Sequence, residues 1–142
     1  MKKSFFYGTI FVVLGLVIAL GPKFLFRICT IGCFCCSDIP QCYWTSQAEI
    51  GMGFFIAALG FCFFVFTDPK INFGLLIGVF FAGIVSLLIP VSLIGGCNIA
   101  TMSCRSIAFP ALIIENIILL VFSLFLIITL SRKIFITLEN HG

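Results

Sequence analysis

The chain is short of charge. Of 142 residues, eight are Lys or Arg and five are Asp or Glu, so 9% are charged, against about a quarter in a soluble domain. With 62% hydrophobic residues, a water-soluble fold of this length is excluded, because it has too little polar surface to cover its apolar side chains. The net charge of +3 comes from scattered residues, so no basic stripe offers itself to a nucleic acid. Histidine is almost missing: His141, in the C-terminal tail, is the only one. A Ser–His–acid set on the opposite side of a membrane is therefore excluded. There is no glycine loop of the phosphate-cradling kind. Low-complexity segments and a second, soluble domain are also absent.

What the chain has is long apolar runs: residues 5–21, 50–66, 73–94 and 111–130. Each approaches the ~20 residues that cross about 30 Å of hydrocarbon. Backbone groups in lipid need partners within their own segment, so the runs are expected to be helical; the alternation of a barrel strand is absent. The expected fold is all-α: a single membrane domain over residues 1–142, a four-transmembrane-helix bundle made of two similar helical hairpins under a cysteine-rich outer cap. The first run follows Met-Lys-Lys-Ser, as a signal peptide's would, yet it is longer than a signal core, and Pro22 would follow the best cleavage site. It is read as a retained span. Between the second and third runs, "TDPKIN" is short; Pro69 cannot continue a helix and Asn72 can cap the next one. A tight antiparallel hairpin is expected there. Gly74 and Gly78 form a G-x-x-x-G, and with Gly51, Gly53 and Gly60 they mark faces for close helix contact, within the bundle or between copies.

Lys2, Lys3, Lys70, Arg132 and Lys133 fall on one side of these spans, and Lys23, Arg27 and Arg105 on the other. That bias predicts a multi-pass protein of the plasma membrane with both termini cytoplasmic. The outer loops, about residues 22–49 and 95–110, then face the extracytoplasmic side, where disulfides persist. Tyr43 and Trp44 suit the interfacial aromatic belt.

Seven of the eight cysteines lie in or beside those loops; Cys62 lies within the second run. Cys35 and Cys42 enclose six residues, as do Cys97 and Cys104, so each half of the chain reads span, C-x6-C loop, span. Such an internal repeat implies an axis along the membrane normal. Three chemistries fit. Disulfides among Cys35, Cys42, Cys97 and Cys104 would tie a cap, their connectivity open. Cys33-x-x-Cys36 with Cys97 and Cys104 would suit thiol–disulfide exchange linked to a quinone, an outline similar to vitamin K epoxide reductase-type enzymes. Cys35, Cys42, Cys97, Met102 and Cys104 would suit copper(I) or zinc. Outside those two alternatives no cofactor, metal or catalytic residue is expected. Glu115 and Asn116 sit early in the fourth run, where polar groups should face the bundle interior or water. Glu115 is either a proton-linked or ligand-binding group, a partner for Arg105 or Arg27, or an acid hydrogen-bonded to a neighbouring helix. Glu49 opens the second run, where a carboxylate favours a helix N-terminus.

The stretches "IPVSLIGGCNIATMSCRSIAFPAL" and "CYWTSQAEIGMG" resemble the prokaryotic membrane family catalogued as domain of unknown function number 4418. The second-half pattern falls on Pro90, Gly95, Cys97, Met102, Cys104, Arg105 and Pro110, and the first-half pattern on Cys42, Thr45, Ala48, Glu49 and Gly51. The resemblance implies a small four-span membrane protein and carries over no activity. The expected role is a non-enzymatic accessory or interaction subunit of a membrane complex, in contact with lipid and with a membrane-protein partner or a second copy.

Overall fold

The computed structural model describes residues 2–21, 24, 41–93 and 109–139, with side chains for 5–21, 24, 43–93 and 109–132. The described residues form α1 (Lys2–Leu20), α2 (Gln41–Val65), α3 (Pro69–Leu88) and α4 (Phe109–Glu139), with a π-helical turn, Ile89–Leu93, continuing α3. Three segments are long and apolar enough to cross a membrane: Tyr43–Val65, Pro69–Leu93 and Phe109–Arg132. The apolar part of α1, Phe5–Leu20, is shorter. The all-helical membrane bundle is as expected; the cysteine cap lies outside the described residues.

Helix boundaries differ from the hydropathy reading. α2 starts at Gln41 rather than 50, because the polar residues that end the apolar run turn inward: Thr45, Ser46 and Glu49 are buried. α4 continues past 130 to Glu139. At the start of α3 the cap is Asp68, not Asn72. Asp68 is extended, its carboxylate accepts from the Lys70 N–H at 3.0 Å, and Pro69 takes the first helical position, where a missing N–H is harmless. Asn72 instead donates its backbone N–H to the Asp68 carbonyl and is buried inside the helix.

The most extensive packing joins α1 to α2; next comes α3 with α4, and α2 meets α3 less broadly. Glycines explain the first pair. Gly8 and Gly15 on α1 meet Gly60 and Gly53 on α2, both sets spaced by seven residues. A Cβ at Gly15 would stand 2.5 Å from the Ala57 nitrogen and 2.8 Å from the Gly53 carbonyl, so the two backbones touch. The G-x-x-x-G of α3 does not serve the bundle in this way: nothing lies within 4 Å of a Cβ at Gly74, and at Gly78 there is only the tip of Leu59.

Inward residues follow helical spacing. On α4 they are Leu112, Asn116, Leu119, Ser123 and Leu126, alternating four and three apart as in a helix-packing seam. They join Phe11, Ile18, Ile56, Phe63, Leu76 and Val79 in the core. The outside is apolar too, with Phe54, Phe61, Phe81 and Phe125 exposed. Polar side chains on it close on their own helix: Thr9 donates to the Phe5 carbonyl at 3.0 Å and Thr129 to that of Phe125 at 2.8 Å. Lipid offers no other partner.

A buried polar cluster as the candidate functional site

Each of the three long helices places a polar residue on its inward stripe. On α2 that stripe runs Thr45, Glu49, Gly53, Ile56, Gly60, Phe63; on α3 it runs Asn72, Leu76, Val79, Gly83, Ser86, Pro90. Glu49, Ser86 and Asn116 are each fully enclosed, at 0% exposure. The Ser86 hydroxyl donates to Glu49 Oε2 at 2.7 Å, tying α3 to α2. From α4, Asn116 and the half-buried Glu115 face the Glu49 carboxyl. Asn116 donates its Nδ2 to the Leu112 carbonyl at 3.1 Å within its own helix.

Acceptors outnumber donors here. Glu49 Oε1, Asn116 Oδ1 and Glu115 Oε1 are buried and accept no hydrogen bond. Elsewhere in proteins such groups are rare, because burying an unpaired acceptor costs about 1–3 kcal/mol. Pro90 lies one turn beyond Ser86. With no N–H, it cannot give the Ser86 carbonyl the donor that a regular α-helix would supply. The π-helical turn Ile89–Leu93 takes over there, and such turns are frequent at functional sites.

The cluster sits toward one end of the bundle. Glu49 and Asn116 lie two turns into α2 and α4, roughly 10–12 Å from their starts at 1.5 Å per residue, and Ser86 is close to the end of α3. Ser86→Ala is expected to destabilise the bundle by about 1–2 kcal/mol, the upper part of the range for interhelical hydrogen bonds in membranes, since both partners are fully enclosed. Ser86→Thr, which keeps the hydroxyl, should recover most of that. Unfolding of the purified chain in mixed detergent micelles measures both.

Of the residues singled out from sequence, Asn116 is central and Glu115 peripheral. Glu49 is not at a helix terminus but well inside α2. Ser86 was not anticipated; its signal was its place, seven residues after Val79 on the stripe that ends at Pro90. Cys62 is a free thiol, half-buried on α2. The other candidates, Cys33, Cys35, Cys36, Cys97, Met102 and Cys104, lie outside the described residues, as do the Cys42 side chain, Arg27 and Arg105. The disulfide, exchange and soft-metal expectations all fall on them. Among the described residues no three of His, Cys, Asp and Glu come together.

Three membrane-length helices with an apolar exterior, a shorter apolar helix packed on them and polar groups drawn inside make this a small α-helical membrane protein. The sequence profile of the family described as Domain of unknown function (DUF4418) matches residues 11–129. The chain belongs to that family. No curated protein and no solved structure matches it.

Proposed function

We propose that the protein is a non-enzymatic accessory or interaction subunit of a plasma-membrane complex. In this reading both termini are cytoplasmic and the cysteine-bearing loops form a disulfide-tied extracytoplasmic cap. The observation that carries the reading is the outer stripe of α3. Ile71, Gly74, Phe81 and Val85 are exposed there with Gly78 between them, and the bundle makes almost no use of either glycine. A glycine facing acyl chains gains nothing from them, whereas a pair four residues apart lets another helix backbone approach closely. The contrast with Gly15 and Gly53, consumed by contact within the chain, is what singles this face out.

A photo-crosslinking residue at position 71, used in native membranes, tests the reading. It is expected to join the chain to one protein species, of twice its own mass if the partner is a second copy. Gly74→Leu with Gly78→Leu should reduce that capture by about tenfold or more, the loss of one good helix contact of ~1.4 kcal/mol. Its melting midpoint should move little, because a Cβ at 74 meets nothing within 4 Å and one at 78 meets only the tip of Leu59, at 3.9 Å. Capture of lipid alone, or capture indifferent to the double substitution, would remove the basis for a lateral partner.

A further inference from the structure

We propose that the bundle is a latched hinge: the pair α1–α2 and the pair α3–α4 turn about the link at residues 66–68, and the Glu49–Ser86 contact holds their far ends together. The hinge makes no use of the lateral face of α3 and survives the failure of a partner there.

The helices pack as two tight pairs. Glycine brings the α1 and α2 backbones into contact, and on α3 a Cβ at Gly83 would stand 3.1 Å from the side chains of Leu119 and Leu120 on α4. Between the pairs the packing is looser: α2 meets α3 less broadly, and α1 touches α4 little. Connectivity divides the chain in the same way. Residues 21–40 join α1 to α2, and residues 94–108 join α3 and its π-helical turn to α4. The backbone therefore crosses from one pair to the other once, at residues 66–68.

What fastens one pair to the other changes along the bundle. Toward the link it is apolar. Phe11 of α1, stacked on Phe63 near the end of α2, meets Phe122 of α4, and the continuous core takes in Leu76, Val79 and Ala82 of α3 with Leu119 and Leu126 of α4. Ile89 and Leu112, at the other end, are buried but stand outside that core. There the fastening is polar. Glu49 stands roughly 24 Å along α2 from the link and Ser86 roughly 26 Å along α3, at 1.5 Å per residue. The donors belong to one pair and the acceptor to the other. The Ser86 hydroxyl of α3 donates to Glu49 Oε2 at 2.7 Å, and the Asn116 amide of α4 meets the same carboxyl as a donor.

Such a latch has two states of similar free energy. Packing in lipid draws no stabilisation from transfer out of water, so van der Waals contact and these hydrogen bonds are what hold the far ends. The closed arrangement also carries an internal cost, since Asn116 Oδ1 and Glu115 Oε1 are buried in it and accept nothing. Parting the far ends lets water from the nearer membrane surface reach both oxygens. The π-helical turn Ile89–Leu93 follows directly beyond Ser86, so α3 departs from regular helix at the level where the pairs would separate.

The test uses the full chain in liposomes with its cysteines intact. Azide-bearing residues at pairs of exposed positions carry nitroxide labels, and pulsed electron resonance reads the distance between them. Trp44 with Ile114 reports the far ends of the two pairs, Phe6 with Ile71 their ends at the link, and Leu20 with Trp44 the α1–α2 pair itself; all of these side chains are exposed. Removing one hydrogen bond between helices shifts such an equilibrium by about tenfold. Ser86→Ala should therefore raise the ratio of long to short Trp44–Ile114 distances by about tenfold, and adding Asn116→Leu should raise it further. The Phe6–Ile71 and Leu20–Trp44 distances should stay as they are. Ser86→Thr, which keeps the hydroxyl, should match the parent chain. Ser86→Ala, which loses only the hydroxyl, decides by itself if the double variant folds poorly. Widening of all three distances together would make the cluster a plain stabiliser and overturn the hinge, as would a Trp44–Ile114 distance that neither variant moves.

Discussion

Leucine at Gly15 or Gly53 is expected to part α1 from α2 and to leave little folded protein. The obstacle is backbone, not side chain. Even the first carbon of a side chain at Gly15 would lie 2.5 Å from the Ala57 nitrogen, and one at Gly53 would meet the Ala19 backbone and, at 2.7 Å, the Gly15 carbonyl. No rotamer relieves that, so the helices must separate and give up contact along their whole length. Overpacking in a core costs about 1–3 kcal/mol where neighbours can move aside; here the upper end is a floor. Alanine is the sharper comparison. In a helix interior it gains at most ~1 kcal/mol over glycine, and less in lipid, where the separated helix is still a helix. Gly15→Ala and Gly53→Ala should therefore destabilise, while Gly51→Ala and Gly74→Ala, with nothing within 4 Å, should be neutral or slightly stabilising. Melts in detergent, followed by the single tryptophan, Trp44, would rank the four. Equal behaviour of all four would mean that α1 and α2 are not in backbone contact.

Glycine shows where sequence reading succeeds and where it stops. The apolar runs announce helices because lipid leaves the backbone no alternative, and the short link at Pro69 announces an antiparallel return, although the residue that caps α3 is Asp68 and not Asn72. Local composition is enough for such features. Which glycines meet which is a matter of rotation and register. Gly74 and Gly78 look like the contact motif and face outward, while Gly8, Gly15, Gly53 and Gly60, spaced by seven, make the contact. The same blindness hid the polar cluster. Glu49 was legible only as the polar border of an apolar run, because hydropathy averages over a helix and cannot tell an acid at a terminus from one turned inward. Its helical stripe, with Gly53, Ile56, Gly60 and Phe63 below it, carried that information. Asn116 was visible as a polar residue in a span, yet its enclosure depends on α2 and α3 arriving opposite it.

Phe11→Ala should produce the other large loss, about 2–4 kcal/mol. The ring is fully enclosed, stacks on Phe63 at 5.7 Å and meets Phe122 edge-on at 5.6 Å. It thus links α1 to α2 and to α4, a helix that α1 otherwise touches little. In a soluble core a buried Phe→Ala costs ~3–5 kcal/mol, of which part is transfer from water and part the cavity left behind. In lipid the transfer part fades, since parted helices would offer the ring to acyl chains as apolar as the core. The cavity remains, together with two aromatic contacts of about 0.5–1.5 kcal/mol each. Phe125 supplies the control. At 63% exposure its ring meets the surroundings rather than the bundle, and Phe125→Ala should change stability by no more than ~0.5 kcal/mol. The difference between the two variants isolates packing from solvent. Were they to cost the same in detergent, the enclosed position of Phe11 between α2 and α4 would be wrong. Were Phe125→Ala harmless in detergent yet destabilising in native membranes, the exposed aromatic face of α4 would be covered there by protein rather than by lipid.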